Sequence, residues 1–265
     1  MNYRKMEEIF ENDRFPISDF DLYEVKADGA CLYRSLSNAI FYYSKHQISI
    51  LKRKFIDSGY FYPEDYGNFL DDYDGLEDCF MEDEFSLNDE LEEAIAMGIQ
   101  RIILNFVREN GKLNVIRNLN RDALPDESIL LEDLIFICHE IPIETYLKNY
   151  LQFAGDDDFV VNEIVDEVGE KKEEMIEVKN RWGGTPEIVI FSLLFNFNIN
   201  VFVPQKLIKK TNQIINLFSV PQNKNDIFVK KIDSIKSFVP NAPTINLLLR
   251  PTKGSSHYDY LICKN

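Results

Sequence analysis

The chain has 265 residues, 45% of them hydrophobic, with 20 Phe and 13 Tyr, which is enough to bury a full core and excludes a disordered tail. Its formal net charge is -16, from 45 Asp and Glu against 29 Lys and Arg; such a field repels phosphate backbones, so no nucleic-acid partner is expected and a basic protein ligand is favoured, although much of this charge also serves solubility. No apolar run approaches the roughly 18 residues of a membrane span, and Met1 to Phe20 alternates charged and apolar residues without a signal-peptide core.

In chain order, a short helix is expected near residues 5–10, followed by a loop around Pro16. Cys31 then opens an apolar series with helical spacing, Leu32, Leu36, Ala39 and Ile40, which predicts a buried helix to about Tyr43 with Cys31 on its first turn. A thiol there meets exposed N–H groups and the positive end of the helix dipole, both of which favour the thiolate, the form that attacks a carbonyl carbon. Residues 49–56 read as a second helix ending before Gly59. From Tyr60 the composition turns acidic, and no Lys or Arg occurs between Asp71 and Glu93. Residues 88–110 predict a helix with Asn88 as N-cap and Gly111 just past its end; Leu91, Ile95, Ile99, Ile102, Ile103 and Phe106 form a stripe that faces the core. Further helices are predicted at 129–138, 143–153 and 160–168, with 170–179 as a solvated helix, so the middle of the chain reads as mostly helical.

In Trp182-Gly183-Gly184-Thr185-Pro186-Glu187, Thr185 suits an N-cap, Pro186 the first helical position, and Glu187 the positive end of the dipole. The helix that follows, to about residue 195, is apolar nearly all round and therefore buried, with an interior strand at 199–203. Gly183 and Gly184 let backbone approach a ligand closely, or simply make a tight turn. Later strands are predicted at 213–220, 228–232, 244–249 and 258–262, which gives an α/β fold with a central sheet of about five strands and helices on both faces. His257 opens the last strand, and the period of two puts His257 and Asp259 on one side of the backbone. A carboxylate there can hold one ring nitrogen and present the other to a nucleophile, the general form of a Cys-His-acid site.

Cys31, Cys79, Cys138 and Cys263 show no paired spacing, which fits a reducing compartment better than a disulfide framework. Neither Cys138-His139 nor His257 with Cys263 has the ligand spacing of structural zinc, so neither a metal nor a cofactor is expected.

Three blocks carry a further signal: Asp28-Gly29-Ala30-Cys31-Leu32-Tyr33-Arg34-Ser35, Trp182-Gly183-Gly184 with Glu187-Ile188, and Leu248-Leu249-Arg250-Pro251 leading to His257-Tyr258-Asp259. Together and in this order they resemble the ovarian tumour (OTU) family of cysteine proteases, which remove ubiquitin from proteins. The resemblance implies an OTU-like, papain-type sandwich forming a single domain over residues 1–265, with a large, acidic, mostly helical insertion at about 60–180. It also implies hydrolysis of the isopeptide bond after the C-terminal glycine of ubiquitin. Cys31 would be the nucleophile, His257 the base and later the acid, and Asp259 the group that orients His257; Asp28 would be catalytic or supporting. Backbone N–H groups of Gly29, Ala30 and Cys31 would stabilise the oxyanion, and Trp182, Gly183 and Gly184 would lie beside the cleft. Ala30 stands where family members often have Asn, which leaves only backbone donors at that position.

The implied partners are ubiquitin or polyubiquitin chains, whose arginine-bearing tail suits an acidic surface, or other ubiquitin-like modifiers. The implied setting is cytoplasmic; the abundance of Asn, Ile, Lys, Phe and Tyr suggests an AT-rich coding sequence, as in many large DNA viruses and intracellular bacteria, for which it would be host cytosol. Two alternatives stay open: a noncatalytic ubiquitin-binding scaffold, and a thiol protease for another ubiquitin-like modifier.

Overall fold

A computed structural model describes residues 14–27, 29–44, 89–115, 128–151, 159–165, 171–177, 183–208, 213–216, 227–252 and 255–264. The helices expected at 5–10 and 49–56, the acidic stretch before residue 89, Asp28 and Trp182 lie outside the described residues.

The described chain begins with strand β1 (Arg14–Pro16), a single 3-10 turn (Ile17–Asp19) and strand β2 (Phe20–Tyr23). Helices α1 (Cys31–Ser44), α2 (Asp89–Asn110), α3 (Leu131–His139) and α4 (Ile143–Leu151) follow. A hairpin of β3 (Phe159–Val165) and β4 (Lys171–Glu177) precedes helix α5 (Thr185–Phe195). The chain closes with β5 (Asn198–Ile208), β6 (Gln213–Asn216), β7 (Ile227–Ile235), β8 (Thr244–Thr252) and β9 (Ser255–Cys263).

Seven of these strands form one sheet in the order β1-β7-β5-β8-β9-β2, with β6 pairing to β5 past the stretch that β8 covers. Only the β5–β8 pair is parallel among them. The sheet is larger than the expected five strands because residues 14–23, read from sequence as a loop around Pro16, supply two more. Pro16 is tolerated there because β1 lies at the sheet's edge, where a missing N–H disrupts no central ladder.

Helices were expected on both faces, but the described helices share one large core with a single face of the sheet. Leu32, Leu36, Ala39 and Ile40 of α1 pack there with Ile95, Ile99, Ile102, Ile103 and Phe106 of α2 and with Ile188, Ile190 and Phe191 of α5. Ile199, Val201, Ile245, Leu247, Tyr258 and Tyr260 meet them from the sheet. The opposite face is covered by the N-terminal segment, where Ile17 and Phe20 pack on Phe202, Val229, Leu248 and Leu261. A buried Leu or Ile contributes ~1.5–3 kcal/mol, so α2, which lies in the stretch set aside from sequence as an insertion, is part of what holds the domain together.

The mostly helical middle needs correction at 159–177. The helices expected at 160–168 and 170–179 are replaced by β3 and β4, paired antiparallel from Phe159 opposite Glu177 to Val165 opposite Lys171. Val160, Val161, Ile164 and Val165 are β-branched, and their preference for extended backbone wins over the helical spacing of the charges. The start of α5 also moves by one residue. Gly184, not Thr185, is the capping residue, and Pro186 takes the second helical position.

Candidate active site

The turn before α1 sets the site's first component. Gly29 has φ of 84°, in the left-handed region that a side chain disfavours, and it redirects the chain into the helix. The Ala30 carbonyl accepts the first intrahelical bond, from Arg34 N–H at 3.0 Å, so Ala30 occupies the capping position and Cys31 is the first residue of α1. Gly183 runs directly beside this helix: a Cβ there would strike the Leu32 side chain and lie 3.3 Å from the Tyr33 ring. The Leu32 and Tyr33 side chains packed against its backbone account for that glycine, whereas Gly184 has room for a side chain.

The second component is an edge of β9 that no strand covers among the described residues. β2 pairs with β9 only at Tyr260–Cys263, so among the described strands none pairs with Tyr258 on that side. Helix α1 supplies one. Tyr258 N–H donates to Cys31 Sγ at 3.4 Å, and the Ser35 hydroxyl donates to the Tyr258 carbonyl at 3.1 Å. Cys31 and Ser35 are four apart and share a helix face, so one turn of α1 substitutes for a strand along one residue of β9.

This docking brings the sulfur to the strand that carries the other two residues. His257 Nε2 donates to Asp259 Oδ1 at 2.9 Å, as the strand period anticipates. Cys31 lies close enough to the ring to favour its protonated form. The bond to Asp259, and after it the influence of Cys31, outweigh the effect of burial and raise the imidazole from 6.5 to about 9. At neutral pH the ring is an imidazolium held between a carboxylate and a sulfur.

Asp259 is fully buried and accepts from more than His257. Val25 N–H, just past β2, donates to Oδ1 at 3.2 Å, and Arg250 Nε lies 2.5 Å from Oδ2. That last contact is a charge contact whose angle misses that of a hydrogen bond. Arg250 stands directly opposite His257 in the β8–β9 register, on the same sheet face. Sequence reasoning placed Arg250 and Ser35 in motifs without giving either a role. The spacing of four between Cys31 and Ser35 could have found Ser35; Arg250 needs the register of two strands.

A second polar cluster sits beside Gly184, and it also went unforeseen. Glu187 is fully buried and accepts from Gly184 N–H at 2.6 Å, Tyr146 OH at 2.7 Å and His139 Nε2 at 3.0 Å. Burial opposes its charge, but the bonds from His139, Tyr146 and Gly184 prevail and hold it below the usual carboxylate range. Burial likewise works against a charged His139, and the bond to Glu187 reverses it, so that imidazole lies above its ordinary value. The Gly184 N–H is thus spent on Glu187. The cluster ties α3, α4 and α5 together behind the glycines.

Cys138 and Cys263 are exposed and free, and among the described residues no three His, Cys, Asp or Glu side chains converge as a metal site would require. No described helix is long and apolar enough to cross a membrane. No protein-family model matches the chain, and no curated protein matches it either.

Proposed function

We propose that this protein is a cysteine protease that hydrolyses the isopeptide bond after the C-terminal glycine of ubiquitin, within an OTU-like, papain-type sandwich. The observation that carries the reading is the joined set Cys31, His257 and Asp259: a sulfur at a helix start, an imidazolium beside it, and a buried carboxylate behind the ring. The choice of ubiquitin rests on the resemblance of the three sequence blocks, and the net charge of -16 suits a basic tail.

With the proton already on His257, Cys31 attacks the scissile carbonyl as thiolate, and a C–S bond forms as the carbonyl oxygen takes the charge. The N–H groups of Gly29, Ala30 and Cys31, at the start of α1, are the donors for this oxyanion; loss of one such donor costs about 3 kcal/mol of transition-state stabilisation. His257 then protonates the lysine amine as the C–N bond breaks. Water, activated by the now neutral ring, hydrolyses the thioester and restores the pair. Asp259 keeps Nε2 occupied throughout. Asp28 and Trp182 retain supporting roles by resemblance alone.

A panel of differently linked diubiquitins tests the reading and reports linkage preference. The wild-type protein is expected to cleave at least one linkage, Cys31→Ala none, His257→Ala at a rate lower by on the order of a thousandfold, and Asp259→Ala at an intermediate rate. Full activity of His257→Ala removes the imidazole from the mechanism. Ubiquitin binding without cleavage of any linkage supports a scaffold instead.

A further inference from the structure

We propose that Arg250 is a positioning residue of this site: it clamps the second oxygen of Asp259 and, through its charge, restrains the proton affinity of His257. The inference rests on the protease reading for its importance but not for its test.

The geometry is specific. Asp259 presents one oxygen to His257 Nε2 and Val25 N–H, and the other to Arg250 Nε at 2.5 Å. A carboxylate held at both oxygens has a fixed plane, and so does the ring bonded to it. Arg250 reaches this position because it pairs with His257 across β8 and β9, while Asp259 sits diagonally from it, two residues along the strand. Its guanidinium is mostly buried and also lies 3.5 Å from Glu24, itself largely exposed, so Asp259 is its close partner.

Among the described residues, Asp259 on its own strand and Cys31 on α1 act on His257 directly, while Arg250, opposite it on β8, contacts Asp259 and has Glu24 behind it. Asp259 and Cys31 both favour the protonated ring. An imidazolium paired too strongly with its carboxylate is a poor acid, because the proton must be released to a leaving amine. Arg250 is the one cation in this set, and it shares the negative charge of Asp259.

The test is a nuclear magnetic resonance titration of the His257 ring in the full-length protein, in wild type, Arg250→Gln and Arg250→Lys. Arg250→Gln is expected to raise the midpoint by on the order of one pH unit. Arg250→Lys, a gentler change should the neutral variant not fold, is expected to raise it by less. A midpoint unmoved or lowered in the folded variants overturns the inference. Where diubiquitin cleavage is measurable, Arg250→Gln is expected to lower kcat with KM nearly unchanged; a raised KM with unchanged kcat would make Arg250 a substrate contact and overturn the positioning role. A raised midpoint in a protein that cleaves no ubiquitin substrate sustains the role of Arg250 and removes the protease reading instead.

Discussion

His257 is the residue on which the contacts of the site converge, and on the proposed protease reading its proton sets the pH range of turnover. Because the folded value is raised from 6.5 to about 9, the stabilisation from the charged ring is complete below about pH 6.5 and is lost as pH rises through about 9. Turnover is expected to stay high at neutral pH and to decline above about pH 9; a decline centred near 6.5 would mean that Asp259 and Cys31 do not hold the proton. His257 and Asp259 were legible in the sequence because a spacing of two has one geometric meaning in a strand. Cys31 was legible because the apolar series behind it fixes where the helix starts. Arg250, Val25 and Ser35 act across strands or between a helix and a strand, and no local spacing encodes such a register.

At the scale of elements, two attachments hold the site in shape. The first is the turn of α1 that serves Tyr258. Replacing Ser35 by Ala leaves a buried carbonyl without its donor, which is expected to cost about 1–2 kcal/mol in urea denaturation and to lower turnover while Cys31 stays in place. An unchanged stability would show that Tyr258 is held by the strand alone. The second is Glu187 with His139 and Tyr146. The contribution of Glu187 is present above about pH 4.5 and is lost as pH falls through its lower folded value; that of His139 is present below about pH 6.5 and is lost as pH rises through its higher one. The pair therefore stabilises most between those limits. Glu187→Gln is expected to lose about 3 kcal/mol there and to flatten the dependence of stability on pH, as followed by thermal unfolding. A variant with the wild-type pH dependence would contradict the pairing. The sequence pointed to Glu187 only as a charge at a helix start, since its side-chain partners His139 and Tyr146 lie more than forty residues away on other helices.

At the scale of the whole molecule, α1, α2 and α5 were readable from apolar spacing, as were β5, β8 and β9 from short β-branched and apolar runs. The second face of the sheet was not. Phe15, Ile17, Phe20 and Leu22 are separated by charged and turn residues, and their common purpose appears only once Phe202, Leu248 and Leu261 are found turned away from the helices. That arrangement has a functional consequence. By the strand period, His257 and Asp259 share the face of Leu261, opposite the helical layer, and Cys31 meets them at the edge where β2 departs. The joining of sulfur and imidazolium thus depends on β2 ending at Tyr23 as much as on the motif residues.

Reaction with ubiquitin carrying a C-terminal electrophile probes that joining most directly, with the adduct located by peptide mass mapping. One ubiquitin is expected to attach, at Cys31, with attachment lost in Cys31→Ala and greatly slowed in His257→Ala. No adduct on a folded protein, or an adduct at Cys138 or Cys263 instead, would contradict a ubiquitin-directed nucleophile at Cys31.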